Sequence, residues 1–127
     1  MSTTEATSTL GASFARALAA KDFDTLTSLL HPEIDFRGLT PRRNWQADNP
    51  VDVVQGILRT WFDDTDEIQE LICLATDSFA DRERIGYRFR VHNPEGEFLV
   101  EQQAYLAERD GKIGWMRVVC SGFRPIA

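Results

Sequence analysis

Tyr87 and Gln102 are the residues whose types and placement could do chemistry, and one turn brings them together. Asn93-Pro94-Glu95-Gly96 has Pro second and Gly fourth, the preferences of a type I turn. If it closes a hairpin, His92 lies opposite Glu97, Phe89 opposite Val100, Tyr87 opposite Gln102 and Ile85 opposite Ala104. One face then carries Ile85, Tyr87, Phe89 and Val91 beside Phe98, Val100, Gln102, Ala104 and Leu106. Gln102 is the strongly polar side chain on that apolar wall, with a phenol as its neighbour. A buried phenol and amide must find partners or cost about 1–3 kcal/mol each. Such a pair could polarise a carbonyl or enolate oxygen of a ligand. It could equally bond within itself, or to a buried water, and simply hold the sheet.

The next hairpin decides which residues of the last strand join this wall. Arg109-Asp110-Gly111 can close through a Gly bulge, which puts Glu108 opposite Lys112, Ala104 opposite Met116, Gln102 opposite Val118 and Val100 opposite Cys120. A two-residue Asp110-Gly111 turn would shift the strand by one and bring Trp115, Arg117 and Val119 inward. The bulge is preferred, because Gly114, Met116, Val118 and Cys120 suit a face covered by helices. Phe89, Val100, Met116, Val118 and Cys120 are then the expected ligand contacts. Cys120 has no adjacent histidine to depress its pKa and reads as an inert buried thiol. His31, just past a helix C-terminus, reads as a cap rather than a general base. The run Asp63-Asp64-Thr65-Asp66-Glu67 lacks phosphate-binding glycines and a second acidic cluster, so it reads as a solvated turn; no metal and no cofactor are expected.

These residues need elements to hold them. Leu10, Phe14, Ala17 and Leu18 fall at helical spacing over residues 8–20, after a polar, frayed stretch at 1–8. Asp22 is an N-cap for a short second helix that Pro32 stops. Ile34 to Leu39 reads as a short strand, followed by a loop through Pro41 and Trp45. Asn49-Pro50-Val51-Asp52 starts a third helix, with Val54, Ile57, Leu58 and Trp61 on its buried stripe. Gly56 inside it costs about 1 kcal/mol relative to Ala and could admit another segment closely. Beyond residue 67 the period drops to two, giving strands at 67–79, 83–92, 97–108 and 112–123. Helices on one face of a bent antiparallel sheet make an α+β fold.

Composition excludes several function classes. The chain has 127 residues, 43% of them hydrophobic and 27% charged, one domain's worth of a globular protein. Fourteen Lys and Arg against twenty Asp and Glu leave a net charge of −6, which argues against nucleic acid or an anionic membrane as partner. No apolar run is long enough to span a bilayer, and the N-terminus lacks the pattern of a secretory signal. Cys73 and Cys120 form neither a disulfide framework nor a zinc spacing, so the cytoplasm is the expected compartment.

The order of elements, with Phe14-Ala-Arg-Ala-Leu-Ala-Ala-Lys-Asp-Phe-Asp, Leu29-Leu-His-Pro-Glu-Ile-Asp-Phe-Arg-Gly and Asp110-Gly-Lys-Ile, resembles the SnoaL-like domains of the nuclear transport factor 2-like superfamily. The resemblance covers residues 9–127. It implies a cone, a curved sheet wrapped around three helices with a pocket at the open end. Trp45, Trp61 and Phe62 would line that mouth, and Asp35 or Glu33 could supply a base there if one points inward, as could Asp77 further along. The family includes isomerases, cyclases, epoxide hydrolases and dehydratases, so the fold leaves function open. Its isomerase members place an Asp where Arg37-Gly38-Leu39 stand here. The Asp-Arg-Asp set of its epoxide hydrolases would fall on Tyr87, Ile85 and Val118, none of which retains it.

The expected function is binding of a medium-sized apolar molecule, with or without acid–base isomerase, cyclase or dehydratase activity through Tyr87, Gln102 and Asp35. A non-catalytic ligand-binding domain and a structural dimerisation module are the alternatives. The outer face carries Leu99, Tyr105, Trp115 and Val119, with Tyr105 placed opposite Trp115. A soluble monomer rarely exposes such a patch, so a homodimer through that face is expected.

Overall fold

Thr9 opens the first helix in a computed structural model that describes residues 9–126. The stretch 1–8, expected to be frayed, lies outside the described residues. The Thr9 side chain accepts from Ala12 N at 3.1 Å, the usual N-cap bond. Glu83, arriving from the sheet, accepts from Gly11 N at 3.0 Å and places its carboxylate at the positive end of the helix. Helix α1 (Leu10–Ala19) buries Phe14, Ala15 and Leu18. Asp22 caps α2 (Phe23–Leu29) through Thr25 N at 3.1 Å.

The first strand is longer than the sequence pattern indicates. Strand β1 runs Leu30–Thr40, taking in Leu30, His31 and Pro32, where only Ile34 to Leu39 was expected. A residue before proline is pushed out of the helical region, so the chain is already extended at Leu30 and His31. The ladder to β6 is irregular between Leu30 and Asp35, where Pro32 has no N–H to offer. The expected loop at Trp45 is a strand, β2 (Arg43–Ala47), paired antiparallel with β1.

Asn49 does start the third helix, its Oδ1 accepting from Asp52 N at 2.9 Å. Helix α3 is then wound as a π-helix over Asp52–Leu58 and finishes as α over Arg59–Trp61. The wider turn brings Val53 into the core beside Val54, Ile57 and Leu58. Gly56 faces outward, where a Cβ would meet nothing within 4 Å, so it admits no neighbour. The close approach is at Gly38 instead, where a Cβ would stand 2.6 Å from the Trp61 ring.

The remaining strands are β3 (Glu67–Phe79), β4 (Arg82–Asn93), β5 (Gly96–Arg109), β6 (Lys112–Cys120) and β7 (Arg124–Pro125). They form one seven-stranded sheet in the order β2-β1-β6-β5-β4-β3, with β7 on β5 and β1 parallel to β6. The last long strand stops at Cys120 rather than 123, and β7 was not anticipated. Gln69 and Ile72 are extra residues in β3 opposite β4, bulges that bend the strand while keeping Ile68, Leu71 and Leu74 on the helix side. The helices pack inside this curve, burying Leu18, Leu26, Val54 and Leu58 with Phe36, Ile85 and Met116.

The β4–β5 register is as the turn dictates, including Tyr87 opposite Gln102 and Phe89 opposite Val100. The β5–β6 register differs by two: Gln102 pairs with Cys120, Ala104 with Val118 and Leu106 with Met116. Asp110 and Gly111 both have positive φ (55° and 79°), so the turn is the two-residue type I′ with Arg109 opposite Lys112. Gly114 is then an extra residue between Ile113 and Trp115, which restores the parity the turn alone would have reversed. Met116, Val118 and Cys120 therefore still face inward. Tyr105 lies opposite Arg117, not Trp115.

Candidate functional site

Strands β4 and β5 carry the polar pair on the inner wall because both residues have inward parity. The Tyr87 hydroxyl donates to Gln102 Oε1 at 2.5 Å, and each residue is 1% exposed. Burial pushes the Tyr87 phenol well above its ordinary pKa, and the facing Cys120 acts in the same direction. Tyr87 is thus a neutral donor. The Gln102 carbonyl is satisfied, but its Nε2 is buried with no hydrogen-bond partner.

Apolar and aromatic side chains surround the pair. The Phe89 ring lies 5.1 Å from Tyr87, and Phe62 meets Phe89 edge-on at 5.6 Å. Val100, Met116, Val118 and Cys120 are all buried on the same wall. Cys120 Sγ accepts from Gly122 N at 3.5 Å and has no histidine beside it among its hydrogen bonds. Trp61, from the end of α3, rests on Gly38 with Phe36 at 6.2 Å and Trp45 at 6.1 Å. Its Nε1 is a second buried nitrogen without a partner. Trp45 is only half-buried, and its Nε1 donates to Thr40 Oγ1 at 2.9 Å.

The candidate bases are elsewhere. Asp35 points to the outer face, where Arg117 holds it at 3.2 Å, because its β1 parity is opposite to that of buried Ile34 and Phe36. Asp77 likewise pairs with Arg84 outside, and exposed Glu33 pairs with Arg109 at 3.0 Å. The structure therefore does not bring Asp35 to Tyr87 and Gln102. His31 is buried at the start of β1, where its Nδ1 accepts from Glu33 N at 2.9 Å and its Nε2 meets Asp110 at 3.2 Å. An accepting Nδ1 places the proton on Nε2, so His31 anchors the β5–β6 turn. Asp66 accepts from Asp63 N in its own turn and from Asn93 Nδ2 at the end of β4. Among the described residues no three His, Cys, Asp or Glu side chains gather as a metal site.

The sequence pattern missed Phe123, which joins Phe62 at 5.9 Å and Phe98 at 5.6 Å to close one side of the wall. Its only signal was an apolar residue directly after Gly122, whose φ is +76°. The open grooves lie outside the wall, including those beside Thr76 and Asp77, at Thr9 and Glu83, and at Glu33 and Asp52, none of them lined by Tyr87 or Gln102. One of about 460 Å³ crosses the outer face past Tyr105, Arg117 and Val119, and one of about 410 Å³ runs beside the β1–β2 hairpin. Neither is lined by Tyr87 or Gln102. Among the described residues no helix is long and apolar enough to cross a membrane.

No family model and no curated protein matches this sequence. Solved structures do match. A candidate isomerase from Bacillus subtilis superposes with a TM-score of 0.75 at 14% identity, over 95% of this chain and 90% of that one. A candidate isomerase of the SnoaL-like family from Agrobacterium tumefaciens matches with a TM-score of 0.59 at 13% identity, over 89% and 95%. A candidate polyketide cyclase from Xanthomonas campestris matches with a TM-score of 0.63 at 13% identity, over 87% and 86%. With its helices inside a curved, unclosed sheet, the chain shares the nuclear transport factor 2-like cone fold of these solved structures.

Proposed function

We propose that the protein binds a medium-sized apolar molecule carrying a carbonyl oxygen, seated between the inner wall and helix α3. The observation that supports this is the Gln102 amide. Its carbonyl is taken by Tyr87, while its Nε2 stays buried without an acceptor. An unmatched buried donor costs about 1–3 kcal/mol, which a ligand oxygen would recover. A pair serving only as a clip across β4 and β5 would leave that cost standing. Phe89, Val100, Met116, Val118 and Cys120 supply the apolar contacts.

Binding without acid–base catalysis is the favoured reading. Proton transfer needs a base within hydrogen-bond reach of the reacting carbon, and Asp35 and Asp77 hold arginines on the outer face. We further propose a homodimer through that outer face and a reducing, cytoplasmic setting for the free thiols Cys73 and Cys120. Leu99, Tyr105 and Val119 are exposed there, and Arg88–Glu101 and Arg117–Asp35 pairs alternate in sign, as a self-complementary surface requires.

Thermal melts with a panel of hydrophobic ketones test the binding. At least one ketone should raise the wild-type melting temperature, and Gln102→Leu should lose that rise. A wild-type melt unmoved by every ketone would overturn the reading.

A further inference from the structure

We propose that the outer groove beside the β1–β2 hairpin binds a small amphipathic carboxylate, with Arg37 as its counter-ion. The site is on the opposite side of the sheet from the inner wall and stands independently of the binding proposed there. The groove has a volume of about 410 Å³, and its outward-facing side chains come from three neighbouring strands. The ladders set them in two rows: Gln46, Arg37 and Arg117 side by side, then Asn44, Leu39 and Val119. Their parity is opposite to that of buried Phe36 and Val118, so both rows face out. Leu39 is 47% exposed and Val119 56%, which leaves an apolar row beside a cationic one.

Charge identifies the missing partner. On β4 and β6 the outer-face arginines Arg84, Arg88, Arg90 and Arg117 each hold a carboxylate from a neighbouring strand. Arg37 holds none among the described residues. Its register sets it directly opposite Arg117, a like charge, which costs Coulomb energy. The hairpin offers no relief, because residues 36–47 contain three arginines and no acid, in a chain of net charge −6. Arg117 is already committed to Asp35. Arg37 is thus the guanidinium of this groove that lacks a counter-ion. Guanidinium binds a carboxylate through two parallel hydrogen bonds, and the exposed Gln46 and Asn44 amides can donate to the same oxygens. A phosphate would bring a second negative charge with no second free cation lining the groove. A small inorganic anion would leave Leu39 and Val119 uncovered. The two rows are one pleat apart, about 7 Å, and three strands span about 10 Å. A carboxylate on the Arg37 row therefore carries a phenyl-sized body over Leu39 and Val119.

The probes are 4-phenylbutyrate, its neutral isostere 4-phenylbutanamide, and acetate. Each is titrated into the full chain and followed by proton–nitrogen correlation NMR. 4-Phenylbutyrate should move the amide signals of Arg37, Gln46 and Val119 and bind about tenfold tighter than either control, one charge-assisted hydrogen bond's worth. Its affinity should fall as salt is added. Arg37→Gln should weaken it about tenfold, whereas Gln102→Leu should leave it unchanged. Arg117 and Val119 also belong to the face proposed for the dimer, so the titration is repeated on Leu99→Asp, which places a charge elsewhere on that face. Binding by either form supports the site, and binding by neither overturns it. An amide that binds as tightly as the carboxylate would also overturn it. If Gln102→Leu weakens 4-phenylbutyrate and Arg37→Gln does not, the molecule sits at the inner wall. This inference then fails while the binding proposed there stands.

Discussion

Removing the two ends of the Tyr87–Gln102 bond, singly and together, should give an unusual pattern of stabilities. Within this pair the wild type has one unmatched buried group, Gln102 Nε2. Tyr87→Phe removes the donor and leaves both the amide oxygen and the amide nitrogen without partners. It should cost about 1–3 kcal/mol, the loss for a newly orphaned buried group. Gln102→Leu removes the orphaned nitrogen but strands the Tyr87 hydroxyl, exchanging one unmatched group for another. Its stability should lie within about 1 kcal/mol of wild type. The double change leaves no polar atom at the site and conserves shape, so it should be at least as stable as Gln102→Leu and clearly above Tyr87→Phe. For a chain of this size, about 1 kcal/mol corresponds to roughly 3–5 °C in melting temperature. Urea unfolding of the four proteins closes the cycle, and coupling between touching residues is expected to be non-additive. A double variant less stable than Tyr87→Phe alone would refute the reasoning, since it would mean the polar atoms stabilise the core beyond their mutual bond.

Three further outcomes are expected. Gly38→Ala should destabilise by about 1–3 kcal/mol, the range for overpacking a filled core, because its Cβ would meet the Trp61 ring at 2.6 Å and backbone partners fix β1 on both sides; a melt unchanged from wild type would contradict it. The Arg88 guanidinium hydrogen bond holds the Glu101 carboxylate below its ordinary range, so the pair's small contribution is present above the usual carboxylate pKa of about 4.3 and fades as pH falls through the lower folded value. Wild type and Glu101→Gln should therefore converge in stability on acidification, and a gap that widens instead would reverse the sign. Sedimentation at micromolar concentration should give about twice 14.4 kDa, with Tyr105→Glu shifting the species toward monomer; a wild-type mass equal to the monomer at every concentration would sink the dimer.

The parts of this protein legible in its sequence are those decided within a few residues. The caps at Asp22 and Asn49 and the turn at Asn93–Gly96 are local, and the turn alone carries the register that sets Tyr87 against Gln102. The buried parity of β4, β5 and β6 was likewise written in their alternation. The β5–β6 pairing was not, because two features compensate. The type I′ turn at Asp110-Gly111 reverses parity, and the extra residue Gly114 reverses it again, at a point where a Cβ would meet Arg109 Cβ at 2.6 Å. Trp45 read as a loop residue because β2 alternates weakly and exists through its pairing with β1. The outward direction of Asp35 lies in its alternation with Ile34 and Phe36, but its partner Arg117 is brought beside it only when β1 lies parallel to β6. The two orphaned donors were invisible for the same reason. Whether Gln102 Nε2 and Trp61 Nε1 have partners depends on every chain segment that folds over them, a sum of contacts between residues far apart in sequence, which no local pattern encodes.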